Sequence, residues 1–115
     1  MPDTVITLAD LRARVRAFVD ARDWNVYHTP KNLSESIAIE AAELMQEFQW
    51  LSGEQSLQAL ADEAHRQRVC HELADVLIYC LSLANTMDID LSQAVIDKLA
   101  ISAAKYPVEL VRGRL

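Results

Sequence analysis

The sequence is poor in residues that interrupt helices, since its 115 residues include only two glycines and three prolines. Because 51% of the residues are hydrophobic, the composition argues against disorder and favours one folded, helical domain over residues 1–115. Two cysteines without a CxxC spacing are too few for a disulfide framework, which predicts reduced thiols in a cytoplasmic protein. No apolar run is long enough to cross a bilayer and no signal-like segment opens the chain, so we expect neither a membrane span nor secretion.

Positive charge is also scarce, because the sequence has 11 lysines and arginines but 17 aspartates and glutamates, which gives a net charge of -6. Proteins that bind nucleic-acid polymers neutralise phosphates with a basic face, and the sequence offers no such face. The charge balance therefore argues against a general nucleic-acid binder. An acidic protein that handles phosphates needs a metal ion, so the acidic residues are the first place to look for a site.

Helical periodicity predicts four main helices and no convincing strand or hairpin, which places the chain in the all-α class. Each helix has a capping side chain at its start: Thr7 forms a capping box with Asp10, and Ser34, Asp62 and Asp90 begin the others. A loop rich in aromatic and hydrogen-bonding side chains separates the first two helices, and loops of that composition often bind ligands. The helices are expected over about residues 8–22, 34–51, 63–87 and 91–106, with the loop at 23–34.

The stretch 71–85 is the most apolar in the chain, yet two carboxylates, Glu72 and Asp75, lie near its start. At about 100° per residue these acids share one polar stripe with Tyr79 and Ser82, while apolar residues cover nearly all the rest of the helix. A helix that is apolar over most of its circumference is normally covered on several sides. A single chain of four helices has few elements for that purpose, so we expect a homo-oligomer in which another subunit covers it.

Two pairs of acids have the spacing of one helical turn: Glu40 with Glu43, and Glu72 with Asp75. If the two helices pack with their polar stripes facing each other, four carboxylates converge. Carboxylates crowded in a cleft cannot all ionise unless a cation compensates their charge. Mg²⁺ is a hard divalent cation that prefers oxygen ligands. One such pair is common on solvated helix faces, but two pairs, one of them on an apolar helix, predict a metal site.

Two other classes of protein compete with a magnesium enzyme. A carboxylate-bridged di-iron bundle needs Glu-x-x-His on two helices, whereas here the third residue after each leading glutamate is an acid, Glu43 or Asp75. That difference argues against di-iron chemistry. A non-enzymatic helical interaction domain would carry the same acids as solvated faces, and it predicts neither a magnesium-dependent change in stability nor nucleotide turnover. The pattern of acids leaves this second alternative open.

The segments EAAELMQEFQW and ELADVLIYCLSLA resemble the two acidic helices of the MazG-like all-α nucleoside triphosphate pyrophosphohydrolases, whose pattern is ExxE followed by ExxD. With RDWNVYHTPKNL and KYP, the resemblance extends over residues 8–108 to the dCTP pyrophosphatase branch of that family. It implies a Mg²⁺-dependent enzyme that cleaves a nucleoside triphosphate to the monophosphate and pyrophosphate. The implied substrate is dCTP or modified dCTP, in house-cleaning of the nucleotide pool; dUTP, a damaged nucleotide and phosphoribosyl-ATP are alternatives for the same fold.

The resemblance also implies roles for individual residues. It makes four acids both the catalytic residues and the magnesium ligands: Glu40, Glu43, Glu72 and Asp75. It places three aromatic side chains at the base and sugar of the nucleotide: Trp24, Trp50 and Tyr79. It places three further side chains near the nucleotide or its phosphates: Asn32, Lys98 and Tyr106. The chain departs from the branch at positions that bear on base preference and phosphate binding. Val15 replaces a histidine of the branch, Ala100 an aspartate, Ser102 an asparagine and Ala103 an arginine.

The implied mechanism needs no protein nucleophile, because the metal activates a water that attacks at the α–β linkage of the triphosphate. Glu43, or less favourably Glu47, is the candidate to orient that water. The resemblance further implies a homotetramer of two dimers, with a dimer as the alternative. We expect the nucleotide site to borrow residues from a neighbouring chain, with Trp24 and the 23–34 loop as the first candidates.

Overall fold

A computed structural model of the chain describes residues 1–114, so Leu115, the last residue of the predicted domain, lies outside the described residues. Residues 1–114 contain six α-helices, three short 3-10 helices and no strand. Four of the α-helices are long, which confirms the all-α prediction with four main helices. The α-helices are α1 (Leu8–Ala21), α2 (Pro30–Gln46), α3 (Gly53–Gln58), α4 (Glu63–Met87), α5 (Leu91–Lys105) and α6 (Val108–Val111).

The predicted caps of α1, α4 and α5 are present, which explains why these helices begin where the sequence places them. At α1, the Thr7 hydroxyl accepts a hydrogen bond from the Asp10 amide at 3.1 Å, and the Asp10 carboxylate accepts one from the Thr7 amide at 3.0 Å. Asp62 and Asp90 each accept a hydrogen bond from the main-chain amide three residues later. Each bond satisfies an amide that the first helical turn leaves without a partner.

The start of α2 differs from its prediction, because the helix begins at Pro30 and not near Ser34. Thr29 caps it by accepting a hydrogen bond from the Asn32 amide at 3.2 Å. Proline suits the first helical position, where no amide donor is needed and the fixed φ angle is already helical. Treating Pro30 as a loop residue is therefore the error, and Ser34 lies inside α2 instead of capping it.

The end of α2 also differs, because the helix stops at Gln46 and not near Leu51. The amides of Glu47 and Phe48 bond to carbonyls three residues earlier, at 3.2 and 3.0 Å, which tightens the chain into turns. This early end takes Trp50 out of the helix, where its side chain is 87% exposed. The acidic pair of α2 is unaffected, since it lies well inside the helix.

The core of the single chain lies where α4 packs against α2 and α1. Within residues 1–114, four hydrophobic residues are buried, and they come from these three helices: Val19, Leu33, Leu81 and Ala84. The α2–α4 contact is the most extensive in the chain, and it sets the two helices that carry the acidic pairs side by side. The fold therefore places the predicted site on its main helix–helix interface.

A second contact holds α1 against the C-terminal end of α4. The Arg12 guanidinium donates hydrogen bonds to the Asn85 side chain at 3.0 Å, to the Ala84 carbonyl at 3.1 Å and to the Ile89 carbonyl. The Asn85 side-chain amide returns a hydrogen bond to the Arg12 carbonyl at 3.0 Å. The Ala84 carbonyl also accepts a hydrogen bond from the Ile89 amide at 2.9 Å, so Arg12 adds a further donor at this helix end and fixes α1 on it.

α5 projects from the rest of the described chain without an extensive interface with any other helix. Its Val95 and Leu99 side chains are 50% and 65% exposed. The radius of gyration is 17.1 Å, whereas a compact domain of this length has about 13 Å. The chain is therefore open in shape, with apolar helix faces left uncovered. No described helix is both long enough and apolar enough to span a membrane.

Replacing Arg12 by alanine should lower the free energy of unfolding by about 2–4 kcal/mol, because it removes three hydrogen bonds and takes the donor away from the Asn85 side-chain oxygen and the Ile89 carbonyl, which are partly buried. Arg14→Ala is the matched control, since Arg14 is exposed on the same helix. Urea unfolding followed by circular dichroism, at one fixed protein concentration, measures both variants. A loss for Arg12→Ala no larger than for Arg14→Ala would mean that this α1–α4 contact contributes little to stability.

Candidate metal and nucleotide site

Packing of α2 on α4 brings the predicted acidic pairs together. Carboxylate oxygens of Glu40, Glu43 and Glu72 all lie within 4.8 Å of one another. Asp75 lies one turn beyond Glu72 on α4, close enough for its charge to raise the pKa of Glu40 and of Glu72. Three of the predicted metal ligands thus form one cluster, here called the acidic cluster, and the fourth borders it.

The carboxylates of the acidic cluster disfavour one another's ionisation. Burial raises the pKa of Glu40 to about 7, helped by a hydrogen bond with Glu43 and by the charges of the surrounding carboxylates. Burial also raises the pKa of Glu72, with further contributions from neighbouring acids. One oxygen of Glu40 and one of Glu72 are buried, and neither has a hydrogen-bond partner among the described residues. Buried carboxylate oxygens without partners are costly, so the cluster fits a cation as its missing partner.

The donor atoms of the acidic cluster decide which kind of cation it fits. The three residues that converge are all glutamates, so the cluster as described offers carboxylate oxygens and neither thiol nor imidazole. Hard divalent cations prefer such oxygen ligands, whereas zinc and copper sites are usually built from cysteine and histidine. The cluster is therefore a candidate site for a hard divalent cation.

A further acid, Glu47, stands beside the acidic cluster with partners of its own. Its carboxylate accepts a hydrogen bond from Arg68 Nε at 3.0 Å and lies 3.8 Å from His65 Nε2. The His65 ring also bonds to the Glu47 carbonyl oxygen at 2.8 Å and packs edge-on against Phe48. The charge of Glu47 contributes to the raised pKa of Glu72. Glu47 is thus held at the edge of the cluster by two side chains of α4.

Two of the six predicted nucleotide-binding side chains line one cavity. Trp24 and Tyr79 border a cavity of about 220 Å³ together with His28, and this space is called the aromatic cavity below. Tyr79 lies one turn after Asp75 on α4, so the aromatic cavity adjoins the acidic cluster. The Trp24 ring packs edge-on against Phe18 at a centroid distance of 5.8 Å, which supports it from its own chain.

The other four predicted nucleotide-binding residues lie outside the aromatic cavity. The Asn32 side chain donates a hydrogen bond to the Tyr27 carbonyl at 3.1 Å, so it supports the loop before α2. Trp50 is exposed beyond the end of α2. Lys98 is exposed on α5 and Tyr106 is exposed at its end, on the element that lacks an extensive interface. Of the six, the single chain brings Trp24 and Tyr79 together.

One residue of the α4 stripe is buried at a site that sequence reasoning does not assign. Ser82 follows Glu72, Asp75 and Tyr79 on the same stripe, and the structure places it in the lining of a second cavity. The position of Ser82 on the stripe is a signal that the sequence carries. The burial of Ser82 cannot be predicted from the sequence, because it depends on how α1 packs against α4.

Residues 35–113, which include both acidic pairs, match the MazG-like family. The chain belongs to the MazG-like family. This MazG-like chain is 39% identical over 107 residues to dCTP pyrophosphatase 1 of Mus musculus, and 38% identical over 108 residues to dCTP pyrophosphatase 1 of Homo sapiens. Each alignment covers 93% of this chain and 63% of the relative, so the chain spans less than two thirds of the length of these relatives.

The fold of this MazG-like chain also matches a solved structure. A pyrophosphatase from Archaeoglobus fulgidus is 42% identical to it and superposes with a TM-score of 0.80, over 86% of this chain and 91% of that one. The resemblance to the MazG-like family and the all-α fold that it implies are confirmed by these comparisons.

The raised carboxylate pKa values predict how the stability of the metal-free MazG-like protein depends on pH. Glu40 keeps its proton until about pH 7 in the folded state but loses it near pH 4.5 in the unfolded state. Between those values the folded state binds more protons, so stability falls as pH rises. The melting temperature in EDTA should therefore decrease from pH 5 to pH 7.5.

Two variants test whether the acidic cluster causes that decrease. Glu40→Gln should flatten the profile because the titrating group is gone, while Glu63→Gln, which replaces an exposed acid of α4, should keep it. Differential scanning calorimetry at fixed ionic strength gives the profiles. A melting temperature that increases across this window in the unaltered protein would contradict the proposed electrostatics of the cluster.

Proposed function

We propose that this MazG-like chain is a Mg²⁺-dependent nucleoside triphosphate pyrophosphohydrolase, which cleaves a nucleoside or deoxynucleoside triphosphate to the monophosphate and pyrophosphate. The observation that carries the proposal is the acidic cluster, whose three ligand oxygens lie within 4.8 Å of one another between packed helices. The relatives support the reaction class, since they are dCTP pyrophosphatases and a pyrophosphatase. Solvated acidic faces, as in an interaction domain, would not leave two carboxylate oxygens buried and without partners.

The proposed ligands of Mg²⁺ are Glu40, Glu43, Glu72 and Asp75, whose carboxylates supply the oxygen donors that this ion prefers. When bound, Mg²⁺ neutralises phosphate charge and lowers the pKa of a water ligand. Glu43 is the first candidate to accept the proton of the attacking water, and Glu47 is the second. Arg68 holds the Glu47 carboxylate at 3.0 Å, so Glu47 is oriented without being one of the ligands. Attack at the α–β linkage forms the monophosphate, and pyrophosphate leaves.

The aromatic cavity is the proposed site of the base and sugar. Trp24 and Tyr79 line it, and aromatic rings bind bases by stacking on their faces. Trp50, which lies beyond the end of α2, would join them at the base and sugar. Asn32, in the first turn of α2, would lie near the nucleotide or its phosphates. The names of the relatives make dCTP or modified dCTP the first candidate, in house-cleaning of the nucleotide pool. dUTP, a damaged nucleotide and phosphoribosyl-ATP are the alternative substrates.

The chain is proposed to act as a homo-oligomer, because its surface is too large for a compact monomer. Its accessible surface is 9058 Å², about 2700 Å² more than the roughly 6300 Å² of a compact protein of 12.9 kDa. Obligate assemblies bury areas of this size. Both α4 and α5 expose apolar side chains, among them Leu73, Leu77, Ile96 and Leu99. Two separate apolar faces favour a tetramer built from two dimers over a dimer.

A neighbouring chain would also complete the site. Lys98 lies on α5, the helix whose apolar face is exposed, and Tyr106 directly follows that helix, so covering the face would carry both residues to another chain. Trp24, in contrast, lines the aromatic cavity with Tyr79 of its own chain. We therefore expect α5, more than the 23–34 loop, to be the shared segment.

The reaction is tested by incubating the protein with each ribo- and deoxynucleoside triphosphate and separating the products by chromatography. With Mg²⁺ the products should be the monophosphate and pyrophosphate, with dCTP and modified cytosine forms preferred, and EDTA should stop the reaction. Glu72→Gln and Asp75→Asn should each abolish turnover while the helical circular dichroism is unchanged. Glu63→Gln is the matched control and should stay active, because it alters an exposed acid in the first turn of the same helix.

Two outcomes of this panel would count against the proposal. Release of orthophosphate and a nucleoside diphosphate would mean attack at the γ-phosphorus and would refute the assigned chemistry. No turnover of any nucleotide, together with a melting temperature that does not change with Mg²⁺, would favour the interaction domain instead.

Mixing inactive subunits tests whether one site draws on two chains. Glu72→Gln subunits and Lys98→Ala subunits, each impaired alone, should regain activity after exchange, because one chain supplies the carboxylates and the other supplies the lysine. Glu72→Gln mixed with Trp24→Ala is the matched control and should regain none if Trp24 serves its own chain. Recovery in the control mixture alone would show that the 23–34 loop is the shared segment. No recovery in either, with exchange proven by mass spectrometry, would confine each site to one chain.

A further inference from the structure

A second cavity, of about 250 Å³, lies between α1, the loop that follows it and the C-terminal half of α4; we call it the inner cavity. Val15 and Val19 contribute apolar surface to it, and His28 and Ser82 contribute polar atoms. Ser82 is only 4% exposed, and its hydroxyl oxygen has no hydrogen-bond partner within residues 1–114. The inner cavity thus contains a buried polar group that the protein itself leaves unpaired.

A buried and unpaired hydroxyl is rare in folded proteins, because burying a polar group without a partner costs free energy. A serine inside a helix ordinarily points to solvent or bonds to the carbonyl four residues earlier. Ser82 does neither, since it is buried and no carbonyl of the described chain accepts from it. Because Ser82 lines the inner cavity, a ligand that enters deeply enough to reach this hydroxyl would supply its missing partner.

Among the other polar side chains that line the inner cavity, those of Asn85 and Asn25 already have partners. The Asn85 side chain accepts a hydrogen bond from Arg12 and donates one back to the Arg12 carbonyl, both at 3.0 Å. The Asn25 side chain donates to the Asp20 carboxylate at 2.9 Å. Ser82 differs from them in that its whole hydrogen-bonding capacity is unused within the part of the chain that the structure describes.

The inner cavity continues the nucleotide site. His28 borders both the inner cavity and the aromatic cavity, so the two spaces adjoin each other. Ser82 lies three residues after Tyr79 on the same stripe of α4, about 4.5 Å further along the helix axis from the acidic cluster. A nucleotide with its phosphates at the cluster and its base beside Trp24 would direct the outer edge of that base towards Ser82.

We propose that the inner cavity recognises the hydrogen-bonding edge of the nucleobase and that Ser82 is the specificity-determining residue. The inference rests on the proposed function and extends it by assigning base choice to one side chain. A hydroxyl both donates and accepts hydrogen bonds, so it favours a base that presents a polar atom at this edge. A base that presents a methyl or C–H group there would leave the hydroxyl unpaired and bind less well.

The matched pair Ser82→Thr and Ser82→Val isolates the hydroxyl, because the two replacements have nearly the same shape and only the first keeps the hydroxyl. The measurement is kcat/KM for every nucleoside triphosphate of the substrate panel. Ser82→Val should reduce the ratio between the preferred and the next-preferred base by about tenfold or more, since one hydrogen bond to the base is lost. Ser82→Thr should keep that ratio within about threefold of the unaltered protein.

The ratio separates base recognition from a role in folding. A purely structural role would lower kcat/KM for all nucleotides by the same factor in Ser82→Val, and an unchanged ratio would overturn the inference while the proposed function stands. Equal losses of the ratio in both variants would overturn it as well, because the hydroxyl would then not be the cause. If the unaltered protein releases pyrophosphate from no nucleotide, the proposed function fails and this inference fails with it.

Ser82→Ala is the second variant, for the case that Ser82→Val does not fold. Removing an unpaired buried hydroxyl should leave the melting temperature without nucleotide unchanged or raise it. The same variant should lose base preference about as far as Ser82→Val. A lower melting temperature with base preference retained would show that the hydroxyl is bonded within the protein, and it would overturn the assignment of Ser82.

Discussion

The crowding of carboxylates between α2 and α4 is the constraint on which the rest of the structure depends. The interface that supplies most of the packing in the single chain also holds Glu40, Glu43 and Glu72 within reach of one another. Their mutual repulsion opposes that packing unless a proton or a cation neutralises the charge. The pKa of Glu40 is raised to about 7, so a proton neutralises this carboxylate below that pH. Arg68 pairs with Glu47 and not with the acidic cluster, so neutralising the cluster requires a proton or a metal ion. The stability of the fold and its capacity to bind a cation are therefore set by one electrostatic balance.

The α4 helix fixes the order of groups along the site. Glu72, Asp75, Tyr79 and Ser82 follow one another on a single stripe, and about 15 Å separates the first from the last. Phosphates, sugar and base follow one another in the same order along a nucleotide. Packing against α2 holds the acidic end of this stripe, and Arg12 holds the other end against α1. Groups on a helix that is held at both ends keep their spacing, which is what positioning of a substrate requires.

Features set by neighbouring residues could be predicted from the sequence, and features set by distant residues could not. The capping box at Thr7 depends on two residues three positions apart, so it was predictable from the sequence. Pro30 suits both a loop and the first turn of a helix, so the start of α2 was missed. The Arg12–Asn85 hydrogen bond joins residues 73 apart, a distance over which periodicity carries no information. Convergence of the acidic pairs was predictable because each pair occupies one helix face. Periodicity cannot show that Ser82, on the same stripe, is buried in the lining of a cavity without a hydrogen-bond partner among the described residues.

Periodicity also identifies apolar surface without identifying what covers it, and here the difference has a functional consequence. Within residues 1–114 the single chain buries four hydrophobic residues and leaves apolar side chains of α4 and α5 exposed. A domain of this size normally buries about two thirds of the surface of its unfolded chain, and that burial is what offsets conformational entropy. In the proposed homo-oligomer, association would supply the missing share. Because α5 carries Lys98 as well as an exposed apolar face, the association that stabilises the chain would also bring a cation towards the phosphates. Folding, assembly and completion of the site would then be one equilibrium that depends on protomer concentration.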